Sequence, residues 1–124
     1  MVVAVVFGLI AGALHVGFWV MEALMWSRPQ VWKRFGVRSQ EDADLMAFGM
    51  LNQGYYNLFL GSGAIIASVL TAAEVDGSEL MLAFACLFML GAAAVLVIAR
   101  PAMLRAGLIQ GGPPAIAILG LVAM

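Results

Sequence analysis

The sequence predicts an all-α polytopic membrane protein: four transmembrane helices in a bundle, with N-terminus and C-terminus outside. Three observations predict it. Four long apolar runs, Val2–Trp26, Leu45–Ala72, Leu80–Ala99 and Gly107–Met124, are each near or above the roughly 18–20 residues a helix needs to cross about 30 Å of hydrocarbon. Hydrophobic residues make up 65% of the 124 positions and charged ones 10%, so the runs use almost the whole chain and no water-soluble domain of any size remains. Residues 1–124 are therefore expected to form one four-helix transmembrane domain. Finally, the six basic residues, Arg28, Lys33, Arg34, Arg38, Arg100 and Arg105, fall in the first and third gaps, while the middle gap offers only Glu74, Asp76 and Glu79. Short loops rich in Lys and Arg stay in the cytoplasm. Ser27–Asp44 and Arg100–Ala106 are thus expected inside, in a multi-pass protein of the cell membrane.

The first run has no basic residue before it, is too long for the apolar core of a secretory signal and is followed directly by Arg28, so it reads as a retained helix. Arg28-Pro29 ends it, because proline disfavours helical geometry in the residue before it and lacks an amide donor. Trp26, Trp32, Phe35, Lys33 and Arg34 then fit a segment lying at headgroup level. Glu41, Asp42 and Asp44 suit the start of the second helix, where the positive end of the dipole favours carboxylates. Gly61-Ser62-Gly63 and Gly111-Gly112 suit close helix contacts. Arg100-Pro101 ends the third helix as Arg28-Pro29 ends the first. A faint internal echo accompanies this, since Gln53-Gly54 and Gln110-Gly111 follow in the next helices; two parallel hairpins of common descent would produce it, and so would ordinary helix-end chemistry. Pro113-Pro114 should kink the fourth helix. Cys86, the only cysteine, lies mid-run and reads as a packed thiol.

What interrupts the apolar runs carries the functional signal. Glu22 is the only acidic residue within a run, and His15, the only histidine, precedes it by seven positions, nearly two helical turns and so the same face. Trp19 lies between them, and Gly12 and Gly8 continue the stripe. The second run adds Asn52, Gln53, Tyr56 and Asn57, and the fourth opens with Gln110. With a rise of 1.5 Å per residue, Glu22 lies about 7 Å deep, Asn52 and Gln53 about 11 Å, His15 and Asn57 about 18 Å and Gln110 about 5 Å. The expectation is one polar column open toward the cytoplasm, Glu22 near Gln53 and Gln110, His15 level with Asn57, with Trp26 at its mouth. An ionisable residue facing lipid at mid-helix costs about 2.5–3.5 kcal/mol, so these groups should face the bundle interior.

The order of His15 and Glu22-x-x-x-Trp26, then Asn52-Gln53-Gly54-Tyr55-Tyr56-Asn57, then Gln110-Gly-Gly-Pro113 resembles the family of small four-helix bacterial membrane proteins called domain of unknown function 1304. The resemblance covers essentially the whole chain, and the Asn-Gln-Gly-x-Tyr-Asn run is its most specific part. Family members are similar in having a hydrophobic residue where this chain has Tyr55, a mild departure. The resemblance implies fold and membrane location and no activity.

Glu, Asn and Gln in facing membrane helices also serve as plain interhelical glue. His15 alone reads more readily as a packing residue than as a ligand; a second histidine or a cysteine at a matching level would be needed to suggest a metal site, and Cys86 has no obvious partner; haem through His15 with one of the nine Met residues has nothing specific behind it, and the sequence names no cofactor. There is no phosphate-cradling loop or nucleophile elbow, and the basic residues are used by topology, so no nucleic acid is expected as partner. Three functional classes remain. In the first, Glu22 and His15 are catalytic acid–base groups, and Asn52, Gln53, Tyr56, Asn57, Gln110, Trp19 and Trp26 bind a small apolar, lipid-like ligand. In the second, Glu22 is the protonation switch of a small proton-coupled transporter. In the third, the chain is an accessory or assembly subunit whose polar face another membrane protein completes. Membrane lipids are expected partners in each, and exposed glycine stripes suit a homo-oligomer.

Overall fold

The structure, a computed structural model, describes residues 1–124 and is helical throughout. Helix α1 (Val2–Trp19) runs on through one π-helical turn, Val20–Leu24; a short helix α2 (Pro29–Trp32) and a 3-10 turn, Lys33–Phe35, lead to α3 (Gln40–Ala72); α4 (Ser78–Ala99) and α5 (Leu104–Val122) follow. Four stretches, Val2–Leu24, Gln40–Ala72, Ser78–Ala99 and Pro101–Val122, are long and apolar enough to cross a membrane. Helix α1 packs against α3 and α5, and α4 packs against the same two, so the helices close in the order α1, α3, α4, α5.

Helix α3 begins at Gln40, five residues before the apolar run, because local chemistry starts it there. Ser39 is extended and its Oγ accepts a hydrogen bond from the Asp42 amide at 3.1 Å, satisfying one of the otherwise free first-turn donors. Glu41 and Asp42 occupy the first turn as the helix dipole favours. At 33 residues, α3 is about 50 Å long, well beyond a hydrocarbon core of about 30 Å. Its first turns therefore extend past the end of α1. The segment between the two helices covers them: Trp26, Val31, Trp32 and Ala43 form a buried cluster, with Met21, Met25, Phe35, Val37 and Met50 against it. Trp26 Nε1 donates to the Ala43 carbonyl at 2.9 Å. Trp26→Phe should keep most of the packing and lose that bond, costing about 1 kcal/mol; faster amide exchange confined to residues 25–38 is the expected reading.

The interior is built from small residues. Ala4, Ala11, Ala64, Ala67, Ala93 and Ala117 are buried, with Leu82 and Met89 the largest apolar side chains fully shut off between the long helices, whereas Phe48, Phe59, Phe84 and Leu119 point outward. Lipid is as apolar as leucine, so helices in a membrane associate by close backbone packing, which small residues permit. The α1–α3 seam shows this most strongly: a Cβ on Gly61 would lie 2.6 Å from the Gly12 carbonyl oxygen, and one on Gly12 2.7 Å from the Gly61 oxygen. Of the expected close glycines, Gly61 and Gly111 make contacts, but Gly63 and Gly112 meet nothing within 4 Å, because each is turned too far round its helix from the seam. Helix α5 stays helical through Pro113 and Pro114; lacking amide hydrogens, these prolines leave the Ile109 and Gln110 carbonyls without their usual partners.

Candidate functional site

Glu22 and Asn57 meet across the α1–α3 seam. Glu22 is 5% exposed, and its Oε2 accepts a hydrogen bond of 2.7 Å from Asn57 Nδ2. Two local features make this possible. The π-helical turn, closed by Met25 N–H donating to the Val20 carbonyl at 3.0 Å, inserts an extra residue into the helical register and alters the direction in which Glu22 leaves the backbone. Opposite it stands Gly54, one turn before Asn57; a Cβ there would come within 3.0 Å of Ala23 Cβ, 3.1 Å of Ala23 N and 3.2 Å of Glu22 Cβ. Glycine at 54 thus lets α3 approach closely enough for an asparagine side chain to reach the carboxyl.

Two turns away, His15 is 1% exposed. Its Nδ1 lies 2.9 Å from the Ala11 carbonyl; since a carbonyl only accepts, Nδ1 carries the hydrogen, and in the neutral ring Nε2 is an acceptor. The ring meets Phe18 edge-on at 5.2 Å, and the backbone of α3 at Gly61 faces its Cβ. Trp19, between His15 and Glu22, packs edge-on against Tyr55 at 6.1 Å, and its Nε1 is buried with no hydrogen-bond partner.

The expected column is only partly assembled. Asn57, not Gln53 or Gln110, is the partner of Glu22, and Gly61 rather than Asn57 lies opposite His15. Depths counted from the apolar-run boundaries misplace these residues, because the register is set by the seam: Gly8 faces Ser68, Gly61 faces Val16 and Gly54 faces Ala23. Gln53, adjacent to Gly54 but 100° round the helix, is exposed, as are Asn52 and Tyr56 on the outer face of α3. Gln110 is half-buried on α5. Gly120 of α5 touches Ala4 of α1, so ten residues earlier Gln110 stands near the level of Leu14, about 12 Å from that of Glu22. Trp26 belongs to the covering cluster and is tied to Ala43. Sequence reasoning missed Gly54 and the π-helical turn. The three-residue spacing from Gly54 to Asn57 puts both on one helix face, a readable signal; nothing in the sequence announces the π turn.

Two open apolar grooves mark the outer surface. One, of about 440 Å³, follows Ile10, Ala13, Leu14, Gly17, Phe18 and Met21 along α1; the other, of about 270 Å³, lies between α4 and α5 beside Ala93, Val97, Gly107 and Gly111. No three His, Cys, Asp or Glu side chains converge as a metal site would need, and Cys86 is buried in a cluster with Ala67, Leu82 and Ala117. Chemically, the seam offers a carboxyl group, an amide and an imidazole along one helix pair: groups able to exchange a proton and hold an oxygen or nitrogen function, beside an apolar surface.

No curated protein and no solved structure matches the chain. The model of one family, described as proteins of unknown function (DUF1304), matches residues 9–122, which is nearly the whole chain and includes every residue of the seam site. This membrane protein belongs to the DUF1304 family.

Proposed function

We propose that this protein, a multi-pass protein of the cell membrane, binds a small apolar or lipid-like ligand at the α1–α3 seam and acts on it or holds it through Glu22, Asn57 and His15. The 2.7 Å bond between Glu22 and Asn57, formed inside a π-helical turn, carries the reading. Interhelical glue would not require it: Gly12, Gly54 and Gly61 already close the seam, while a carboxyl group brought into the membrane is costly and π turns are frequent at functional sites. Phe18 and Met21, neighbours of His15 and Glu22, line the α1 groove, so an apolar body lying there brings its polar end near the pair. Glu22 would be the proton donor or acceptor, Asn57 would hold it in place, and His15 would be the second base.

Protein purified gently from its own membrane, compared with Glu22→Gln, tests this by native mass spectrometry and analysis of the extract. A stoichiometric small molecule in the wild type, lost from a folded Glu22→Gln variant, is the expected result; equal emptiness of both would overturn the reading. One observation favours a second reading, that of an accessory subunit: Asn52, Gln53 and Tyr56 face outward together on α3, where another membrane protein would complete them. A partner lost on substituting these three, with Glu22→Gln without effect, is its signature.

A further inference from the structure

The end of the molecule carrying all the basic residues has a feature that topology alone does not call for: charges from two loops far apart in sequence are brought onto one surface. Gly36 takes a left-handed conformation, φ 77°, which glycine adopts freely, and this turns the chain so that the Arg100 guanidinium rests against it; a Cβ at Gly36 would lie 3.0 Å from Arg100 Nη1. Three residues earlier, Lys33 Nζ stands over the Trp32 ring, 5.6 Å from its centroid, and Trp32 is itself buried in the covering cluster. Arg34 and Arg38 are exposed on the same short segment. Of the carboxylates on this side, Glu41 and Asp42 lie in the first turn of α3, at the positive end of its dipole, and Asp44 Oδ1 accepts from Gln40 Nε2 at 2.8 Å. Six basic residues against Glu41, Asp42 and Asp44 leave an excess of three positive charges at this end, while Glu74, Asp76 and Glu79 hold three negative ones at the other.

We propose that Arg100 and Lys33, across the floor made by Gly36, bind the phosphate of an anionic phospholipid headgroup. The chemistry matches. A guanidinium offers a planar fork of donors that engages two phosphate oxygens at once, whereas an ammonium adds a compact charge. Their position also matches, since Arg100 ends α4 and Lys33 lies in the segment covering the end of α1, where headgroups begin. Gly36 leaves room for the guanidinium beside the backbone, and a side chain there would be strained at its positive φ.

Native mass spectrometry of the full chain in detergent, titrated with phosphatidylglycerol or with phosphatidylcholine of the same acyl chains, tests the proposal. Wild-type protein should retain one phosphatidylglycerol in preference to phosphatidylcholine. Arg100→Gln should lower that retention roughly five- to tenfold, the weight of a lost headgroup contact. Arg105→Gln removes the same charge from a residue that makes no contact with the bound phosphate and should change it less than about twofold, well under 1 kcal/mol. Arg100→Lys keeps the charge but loses the fork and should give an intermediate loss. Equal losses in Arg100→Gln and Arg105→Gln would mean diffuse attraction and overturn the site. So would full retention in Arg100→Gln, or displacement of the lipid by inorganic phosphate, which would make a free anion the ligand.

Discussion

Gly61→Leu is expected to leave no stably folded protein, while Gly63→Leu, two positions on, should fold normally. At position 61 the first side-chain carbon already meets the Gly12 carbonyl oxygen at 2.6 Å, His15 Cβ at 3.1 Å and Val16 N at 3.1 Å. These are backbone atoms and a Cβ, so no change of rotamer relieves them and the two helices must separate. Overpacking of a well-packed core typically costs about 1–3 kcal/mol even where side chains can shift; against a rigid backbone, the cost should exceed the upper end, a large part of a typical stability of about 5–15 kcal/mol. Position 63 meets nothing within 4 Å, so a leucine there simply enlarges the outer surface. Thermal unfolding in detergent, followed by tryptophan fluorescence, separates the two. Gly61→Ala should fall between them, with a lowered midpoint.

The second large effect concerns the polar pair. Asn57→Leu should destabilise the protein by about 1–3 kcal/mol, because it leaves the Glu22 carboxyl buried without its partner. Glu22→Leu alone strands the Asn57 amide and should cost less, since Asn57 is only half-buried. The double variant should recover most of the loss, as replacing both members of a buried polar pair by apolar groups is often close to neutral. A double-mutant cycle on unfolding reads the coupling directly. Hydrogen bonds between membrane helices average about 0.6 kcal/mol; a short bond to a carboxyl group should exceed that, and a coupling near zero would mean that the two side chains do not depend on each other.

Much of the fold is legible because the membrane imposes it. Runs of apolar residues about 20 long have few other fates, and Arg100-Pro101 and the acidic residues after Ser39 mark helix ends by chemistry that acts locally; the first helix instead ends at Leu24, before Arg28-Pro29, whose proline opens α2. The site is less legible for a physical reason. Which polar residues meet depends on the sliding and rotation of one helix against another, and that is set by where backbones approach closest. Gly12, Gly54 and Gly61 fix the register of α1 on α3, so Asn57 rather than Gln53 faces Glu22. Apolar-run boundaries cannot supply that register, because α3 starts at Gln40 on the strength of its cap and extends past α1. The outward direction of Asn52, Gln53 and Tyr56 follows from the same rotation: the face of α3 that carries Gly54, Asn57 and Gly61 is turned to α1, and these three residues lie round the helix from it.

The pairing of Glu22 with Asn57 inside the membrane is the claim on which the functional reading stands, and a solid-state NMR distance measures it most directly. Protein reconstituted in lipid, with 13C in the Glu22 carboxyl and 15N in the Asn57 side chain, should show the weak but measurable dipolar coupling of a carbon and a nitrogen separated only by the hydrogen-bonded oxygen, as the 2.7 Å contact from Asn57 Nδ2 to Glu22 Oε2 requires. Absence of that coupling in folded protein would mean that Asn57 faces elsewhere, and the seam would then be a glycine contact with an unpartnered acid beside it.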